Sequence, residues 1–289
     1  MLQNTWKIIS ENSGQEIPKA KWYGHYMVSR NFIDGITKLS RTDNILADEY
    51  AESWPVGREC YSFSKVEDDA FKYTKNFSKN LANKEWLEEW RDYRIEEDAI
   101  WNIYIRVIGQ DDLQTHMIGS HLDSVENGGK YDGVAGIAAG METFQQAIHY
   151  KKDWKLKKSF TLAVFRSEES GPHNGVACLG SAIATGTISK EKLEKIIYKK
   201  ENWRKITLKE HVESKFSEKR WQQILSDLES PKISPEIVAS YHELHIEQGT
   251  LIENADQKVV WKYSDDSDMK QSINFWIVSE SIGLFLVAI

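Results

Sequence analysis

The chain has 289 residues, 40% of them hydrophobic and 28% charged, with a formal net charge of −7. That length can bury a substantial core, as one large domain or two small ones, and the composition excludes wholesale disorder. With a pI near 5.7, the charge balance gives no electrostatic reason to expect nucleic acid or an anionic membrane as partner.

Residues 1–18 are polar and mixed in charge and lack the apolar centre of a signal peptide. The two cysteines, Cys60 and Cys178, are far apart and form no C-x-x-C pair. A disulfide framework is not expected, and a reducing, cytoplasmic setting fits.

Residues 1–30 give weak signals and read as a leader of open role. Phe32, Ile33, Ile36 and Leu39 have helical spacing and predict a short amphipathic helix. A second, polar helix falls within Val66 to Leu87. Tyr93 and Ile95 alternate with charged residues, as in a half-buried strand, and Asn102 to Gly109 is a β-rich run ending in a turn. Strand and helix then recur: Thr115–Ser120, Val134–Ala147, Ser159–Arg166, and a helix from about Val176 to Ala184. Charged helices, with Lys and Glu four apart, occupy much of 189–230. Pro231 and Pro235 mark a break, and Ile237 to Ile246 is the next strand. This alternation predicts an α/β fold, a mainly parallel sheet flanked by helices on both faces. Residues 262–271 are polar. Ser272 to Ile289 is apolar but interrupted at 279–281, too short and broken to span a bilayer as a helix, and reads as two short strands.

The chemistry concentrates in three places. His121 and Asp132 stand eleven positions apart, across a turn containing Gly128 and Gly129. A strand before them and a helix after them would present an imidazole and a carboxylate together at a strand end. Asp123 can accept the second ring N–H of His121 and leave the other nitrogen free for a metal. Taken alone, Asp132 reads equally as a helix N-cap. Glu168 and Glu169 follow the strand Thr161–Phe165, at the carboxyl end where α/β sheets place their sites. Beside a metal such neighbours can divide the work, one holding the cation and the other taking a proton from bound water. Ser170-Gly171 and Gly175 would let the chain turn away. His245 shares one strand face with Glu243, while His242 and Leu244 share the other. His242 reads as exposed or capping. His116, His149, His173 and His211 read as bystanders, and His25 lies too far from the other motifs to judge. Cys178 lies in an apolar stretch and reads as core. No phosphate loop, dinucleotide fingerprint or nucleophile elbow is present.

Together, GSHLDSVENGGKYDGVAGIAAGME (119–142), AVFRSEESGPHNGVACLGS (163–181) and YHELHIEQGTLIE (241–253) resemble the amidase, hydantoinase and carbamoylase family of dinuclear zinc hydrolases. That family includes N-carbamoyl-L-amino-acid hydrolases and allantoate amidohydrolases. The three motifs stand in family order, within a looser match from about Phe32 to Val259. HIEQG speaks against an ordinary aminoacylase or dipeptidase of the wider superfamily.

The resemblance implies an aminopeptidase-like catalytic domain over 31–259 and hydrolysis of a C–N bond in an N-carbamoyl amino acid or related ureido or amide compound. It implies two Zn2+ per active site, with Mn2+, Co2+ or Ni2+ as alternatives, and a homodimer. It makes His121 and His245 ligands of the first metal and Asp132 a bridge between the two. Glu169 becomes a ligand of the second metal, Glu168 the general base, Asp123 the orienting carboxylate, and Gln248 a contact near the substrate.

The chain departs from the pattern at Ser170, where a glycine is usual, and at Pro172-His173-Asn174, which replace an arginine-containing segment. After Val259 nothing resembles the family's lid or dimerisation domain or the return segment with its last metal-binding histidine. Residues 260–289 therefore read as a divergent apolar tail on a truncated member. The expected consequence is impaired activity; the alternative is a non-catalytic metal-binding remnant or gene fragment.

Overall fold

A computed structural model describes residues 26–40, 58–151, 156–170, 176–201, 204–246, 259–264 and 273–278. Its frame is a seven-stranded sheet, made of β1 (Tyr93–Glu97), β2 (Ile103–Val107), β3 (Asp111–His121), β4 (Lys158–Phe165), β7 (Val238–Ile246), β8 (Val259–Ser264) and β9 (Ile273–Val278), in the order β1-β2-β4-β3-β7-β9-β8. The central four, β4, β3, β7 and β9, run parallel. The outer pairings β1–β2, β2–β4 and β8–β9 are antiparallel. This is the mainly parallel sheet that the alternation of strand and helix predicts.

All five residues of β2 are buried, as are the last seven of β4. Strands covered on both faces need such continuous burial. On one face, even-numbered side chains of β3 and β4 (Ile118, Leu162, Val164) and odd-numbered ones of β2 pack with three helices. These are α1 (Tyr26–Ser40), α2 (Lys65–Lys84) and α3 (Val134–Lys151). Phe32 and Ile36 of α1, Phe71 of α2, and Ile137 and Phe144 of α3 lie in that core. On the other face Met117, Ala163, Phe165 and Tyr241 pack against Ala184 of α4 (Leu179–Ala184) and the segment around Ile233 and Ile237. Among the described residues no helix is long and apolar enough to cross a membrane.

A second small core collects Leu179 and Ile183 with Leu193, Leu208, Val212, Trp221 and Ile224. It involves α5 (Lys190–Glu194), α6 (Leu208–Lys215) and α7 (Glu218–Glu229). A hairpin of β5 (Ile197–Glu201) and β6 (Arg204–Thr207) interrupts the helices expected over 189–230. Its lysine-rich sequence hid the strand signal. The helices start where local chemistry dictates. Ser64 accepts from Glu67 N at the start of α2, and Thr207 with Glu210 forms a capping box on α6. β8 and β9 fall in the stretch read as polar linker and apolar tail, and they extend the sheet beyond β7.

Candidate metal centre

The sheet itself brings the two histidines together. β3 and β7 are parallel neighbours with Ile118 opposite His242. Three residues further along, that register reaches His121 and His245, at the carboxyl ends of both strands. Their ring centroids lie 6.0 Å apart. β4 ends alongside, with Phe165 opposite His121. The chain then turns through Ser167, at φ +59, and delivers Glu168 and Glu169 to the same edge.

Asp132 arrives from the loop between β3 and α3. Arg58 is buried and holds that loop from behind, its guanidinium donating to the carbonyls of Leu122 (2.5 Å) and Asp132 (3.2 Å). Main-chain bonds between Arg58 and Gly128 clamp the glycine turn. Next to Asp132, Gly133 has φ +65, and a Cβ there would stand 2.5–2.6 Å from the carbonyl and ring of His121. Only glycine lets the loop fold this tightly under the imidazole.

The ligand atoms of His121, Asp132 and His245 all lie within 4.8 Å of one another. Asp132 Oδ1 is 3.8 Å from His121 Nε2 and 3.6 Å from His245 Nε2. Metal–ligand bonds of about 2.0–2.2 Å in a tetrahedron imply ligand separations of roughly 3.3–3.6 Å, so the cradle is near the size of a zinc-like ion. A second group, His121, Glu168 and Glu169, meets the same 4.8 Å condition and shares His121 with the first. Glu168 Oε2 is 3.6 Å from His121 Nε2.

Both rings are fixed in the tautomer a cation needs. His121 Nδ1 lies 3.1 Å from the Asp123 carbonyl, and His245 Nδ1 lies 2.8 Å from the Ile246 carbonyl. A carbonyl only accepts, so each Nδ1 carries the proton and each Nε2 faces the centre. The Asp123 carboxylate is 3.5 Å from the same His121 nitrogen. Its stronger work is elsewhere: it accepts from the main-chain N–H of Glu168 and Glu169 and from Ser62 Oγ.

The electrostatics call for a positive charge. Burial opposes charging of His121, yet Asp123, Glu168 and Asp132 together push it up to about 10. Burial raises Glu169 to about 7, with Asp132 and Glu168 adding to the shift against the opposing pull of His121. Burial resists ionisation of Asp123, but His121 and the two donating amides hold its carboxyl below the usual range. His121 Nε2 and Glu169 Oε1 are buried without a hydrogen-bond partner. Such orphaned atoms, aimed at one point beside an acidic cluster, fit a bound cation.

Two residues, Cys178 and His242, depart from the sequence reading. Cys178 is exposed rather than core, because it stands before the short helix α4 at φ +55. It donates to Glu168 Oε1 at 3.2 Å. Partial desolvation of the sulfur and the neighbouring Glu168 carboxylate push its thiol up to about 12, which disfavours the thiolate form. His242 is buried rather than exposed, because it shares the covered face of the inner strand β7 with Leu244 and Ile246. It meets Ser240 Oγ at 3.1 Å, and burial lowers it to about 4. His116 shares Ser240, and His211 stacks on Tyr198. Gln248, His25, His173, Gly171 and Gly175 lie outside the described residues, as does the side chain of His149.

Sequence reasoning missed the supporting residues. Glu67, fully buried on α2, accepts from Phe63 N and Ser167 N and pairs with Arg166 at 2.7 Å. Arg166 stacks over Phe71, 4.4 Å from its ring centroid. Glu243 is half-buried beside Tyr241, whose hydroxyl donates to it at 2.8 Å. Its alternation with His245 was the one available signal.

No family model matches the chain. Individual proteins do. A ureidoglycolate hydrolase of Arabidopsis thaliana is 31% identical over 250 residues, 86% of this chain and 48% of that protein. Allantoate deiminase 2 of Glycine max is 33% identical over 176 residues, 60% of this chain and 34% of that one. An N-carbamoyl-L-amino-acid amidohydrolase of Pseudomonas sp. (strain NS671) is 33% identical over 118 residues, 40% of this chain and 27% of that one. The chain is a homologue of these hydrolases.

The chain thus spans about half the length of the homologues or less. Its fold matches the crystal structure of AtUAH in complex with (S)-hydroxyglycine, with a TM-score of 0.60 at 24% identity, over 81% of this chain and 48% of that one. It also matches a hydantoinase/carbamoylase family amidase from Burkholderia ambifaria, with a TM-score of 0.53 at 20% identity and the same two coverages. At these identities the structural likeness speaks for the fold.

Proposed function

We propose that this chain carries the metal-binding half-site of a hydrolase acting on the C–N bond of a small ureido or carbamoyl compound. The observation that supports this most directly is the convergence of His121, Asp132 and His245 around one point, with Nε2 of both rings turned inward. The named activities of the homologues supply the substrate class. The donor set, two imidazoles and a carboxylate, suits zinc, with manganese, cobalt or nickel as substitutes.

His121, Asp132 and His245 would hold the first ion, and Glu169, with Asp132 as bridge, the second. When bound, such ions polarise a carbonyl and lower the pKa of water toward ~7. Glu168, partly exposed at the centre, would take a proton there and return it to the leaving nitrogen. Asp123 fixes both the His121 ring and the peptide carrying Glu168 and Glu169. Gln248 would meet the substrate. The free, unpaired cysteines fit a reducing, cytoplasmic setting.

A second reading, a metal-binding remnant without turnover, is favoured by one observation. The Glu168–Glu169 group has no imidazole of its own among the described residues and shares His121. The test measures ammonia release from N-carbamoyl amino acids, allantoate and ureidoglycolate with each metal, beside zinc binding. Slow turnover, below ~1 s⁻¹, lost in both His121→Ala and Glu168→Gln, with zinc retained in the second, supports the hydrolase. Tight zinc binding without any turnover supports the remnant and overturns the hydrolase.

A further inference from the structure

A second concavity lies apart from the histidines and carboxylates of the centre. It encloses about 230 Å³ and is lined by Asp68, Phe71, Lys72, Trp101, Arg166 and Phe216, with the Lys75–Glu97 pair completing it. At ~30 Å³ per water it has room for roughly seven or eight waters, below the ~300 Å³ at which drug-sized pockets begin. A single ring with one substituent fits that space.

Its aromatic wall is built at a cost. Trp101 sits at φ +68, a conformation unfavourable for a bulky side chain. The surrounding loop enforces it. Trp101 N donates to the Asp98 carbonyl, Asp98 Oδ1 accepts from Ile100 N and Asn102 N, and Ala99 N donates to Asp227. The Trp101 ring lies 4.1 Å from that of Phe216, which remains 43% exposed. Arg220 stands 4.4 Å from the Trp101 centroid and Arg166 5.9 Å from it, so two guanidinium groups flank the indole.

The charges around the cavity are almost all spoken for. Arg166 pairs with Glu67 and Asp68, Lys215 with Asp68, and Lys75 with Glu97. Lys72 is exposed and has no carboxylate partner among the described residues. The acids are engaged, so a cationic ligand would have to displace an existing pair. An anion on Lys72 displaces no ion pair among the described residues.

We propose that this cavity is an accessory binding site for a small planar carboxylate, its ring against Trp101 and Phe216 and its carboxylate on Lys72. The site stands independently of the hydrolase reading. Calorimetric titration of the whole chain with benzoate, and with benzamide as the uncharged comparison, tests it. Saturable benzoate binding is expected, with benzamide at least about tenfold weaker. Lys72→Gln and Phe216→Ala should each weaken benzoate about tenfold, and Lys72→Gln, at an exposed position with no ion pair among the described residues, should do so at an unchanged melting temperature. Absence of saturable binding at millimolar benzoate, equal binding of benzamide, or indifference to both substitutions would overturn the proposal.

Discussion

His121 and Asp123 hold each other through two contacts. The imidazole Nδ1 lies 3.1 Å from the Asp123 carbonyl oxygen and 3.5 Å from its carboxylate. The same carboxylate receives the main-chain N–H groups of Glu168 and Glu169. One acidic side chain therefore sets the ring that faces the centre and the peptide that brings both glutamates to it.

Asp123→Asn keeps the shape but replaces one accepting oxygen by a donor that faces other donors. Stability should fall by ~1–3 kcal/mol, the cost of leaving a buried donor unsatisfied. Zinc affinity should fall about 10–100-fold, as for other residues that orient a ligand. Urea denaturation and zinc titration measure the two effects. An unchanged zinc affinity would show that the Asp123 carbonyl alone orients the ring.

Metal analysis after dialysis against a mild chelator should find about one tightly held zinc-like ion per chain. The first group has two imidazoles and a carboxylate, whereas the second borrows His121. His121→Ala should abolish retention. Glu168→Gln should leave it nearly intact. Two tightly retained ions would mean that residues beyond the described ones complete the second group.

Gly133→Ala places a methyl group 2.5–2.6 Å from the His121 carbonyl and ring at a positive φ. The backbone strain alone costs ~1–3 kcal/mol, and the ring must move to make room. The expected outcome is a lower melting temperature together with weakened zinc binding, read by circular dichroism and titration. A variant with wild-type zinc affinity would show that the loop relaxes without disturbing His121.

Glu142, on α3, accepts from Ser29 of α1 at 2.9 Å, and burial pushes its carboxyl up to about 7 from 4.5. Between those values the unfolded chain releases this proton while the folded chain keeps it. Its contribution to stability is therefore full below about 4.5 and lost as pH rises through about 7. Glu142→Gln should flatten the fall in stability across that window and gain on the wild type at pH 8. Denaturant midpoints at pH 5 and pH 8 decide it; parallel profiles for the two proteins would refute it.

What was legible in the sequence was local. The alternation of strand and helix predicts the sheet, and the three motifs place His121, Asp132, Glu168, Glu169 and His245 at its carboxyl edge. The supports were illegible because they reach the centre only through tertiary packing. Arg58 and Ser62 precede it by about sixty residues and Glu67 meets Ser167 across one hundred, and none sits in a periodic pattern. Cys178 was misjudged because an apolar neighbourhood in sequence does not say which side of a turn faces water, and His242 because alternation along a strand does not say which face is covered. The β5–β6 hairpin was hidden because its lysines resemble those of the adjoining helices.

The pairing of β3 with β7 gives a cation in the cradle a role unrelated to chemistry. Only four residue pairs join these strands, with a shift in register between Thr115 and His116. His121 and His245 stand three residues beyond the last of them, 124 positions apart in the chain. An ion held by both would clasp the two strands at their open end. At a hundredfold excess over its dissociation constant it would add ~2.7 kcal/mol to the folded state. Thermal melting with and without zinc would then report how firmly the two halves of the sheet are joined.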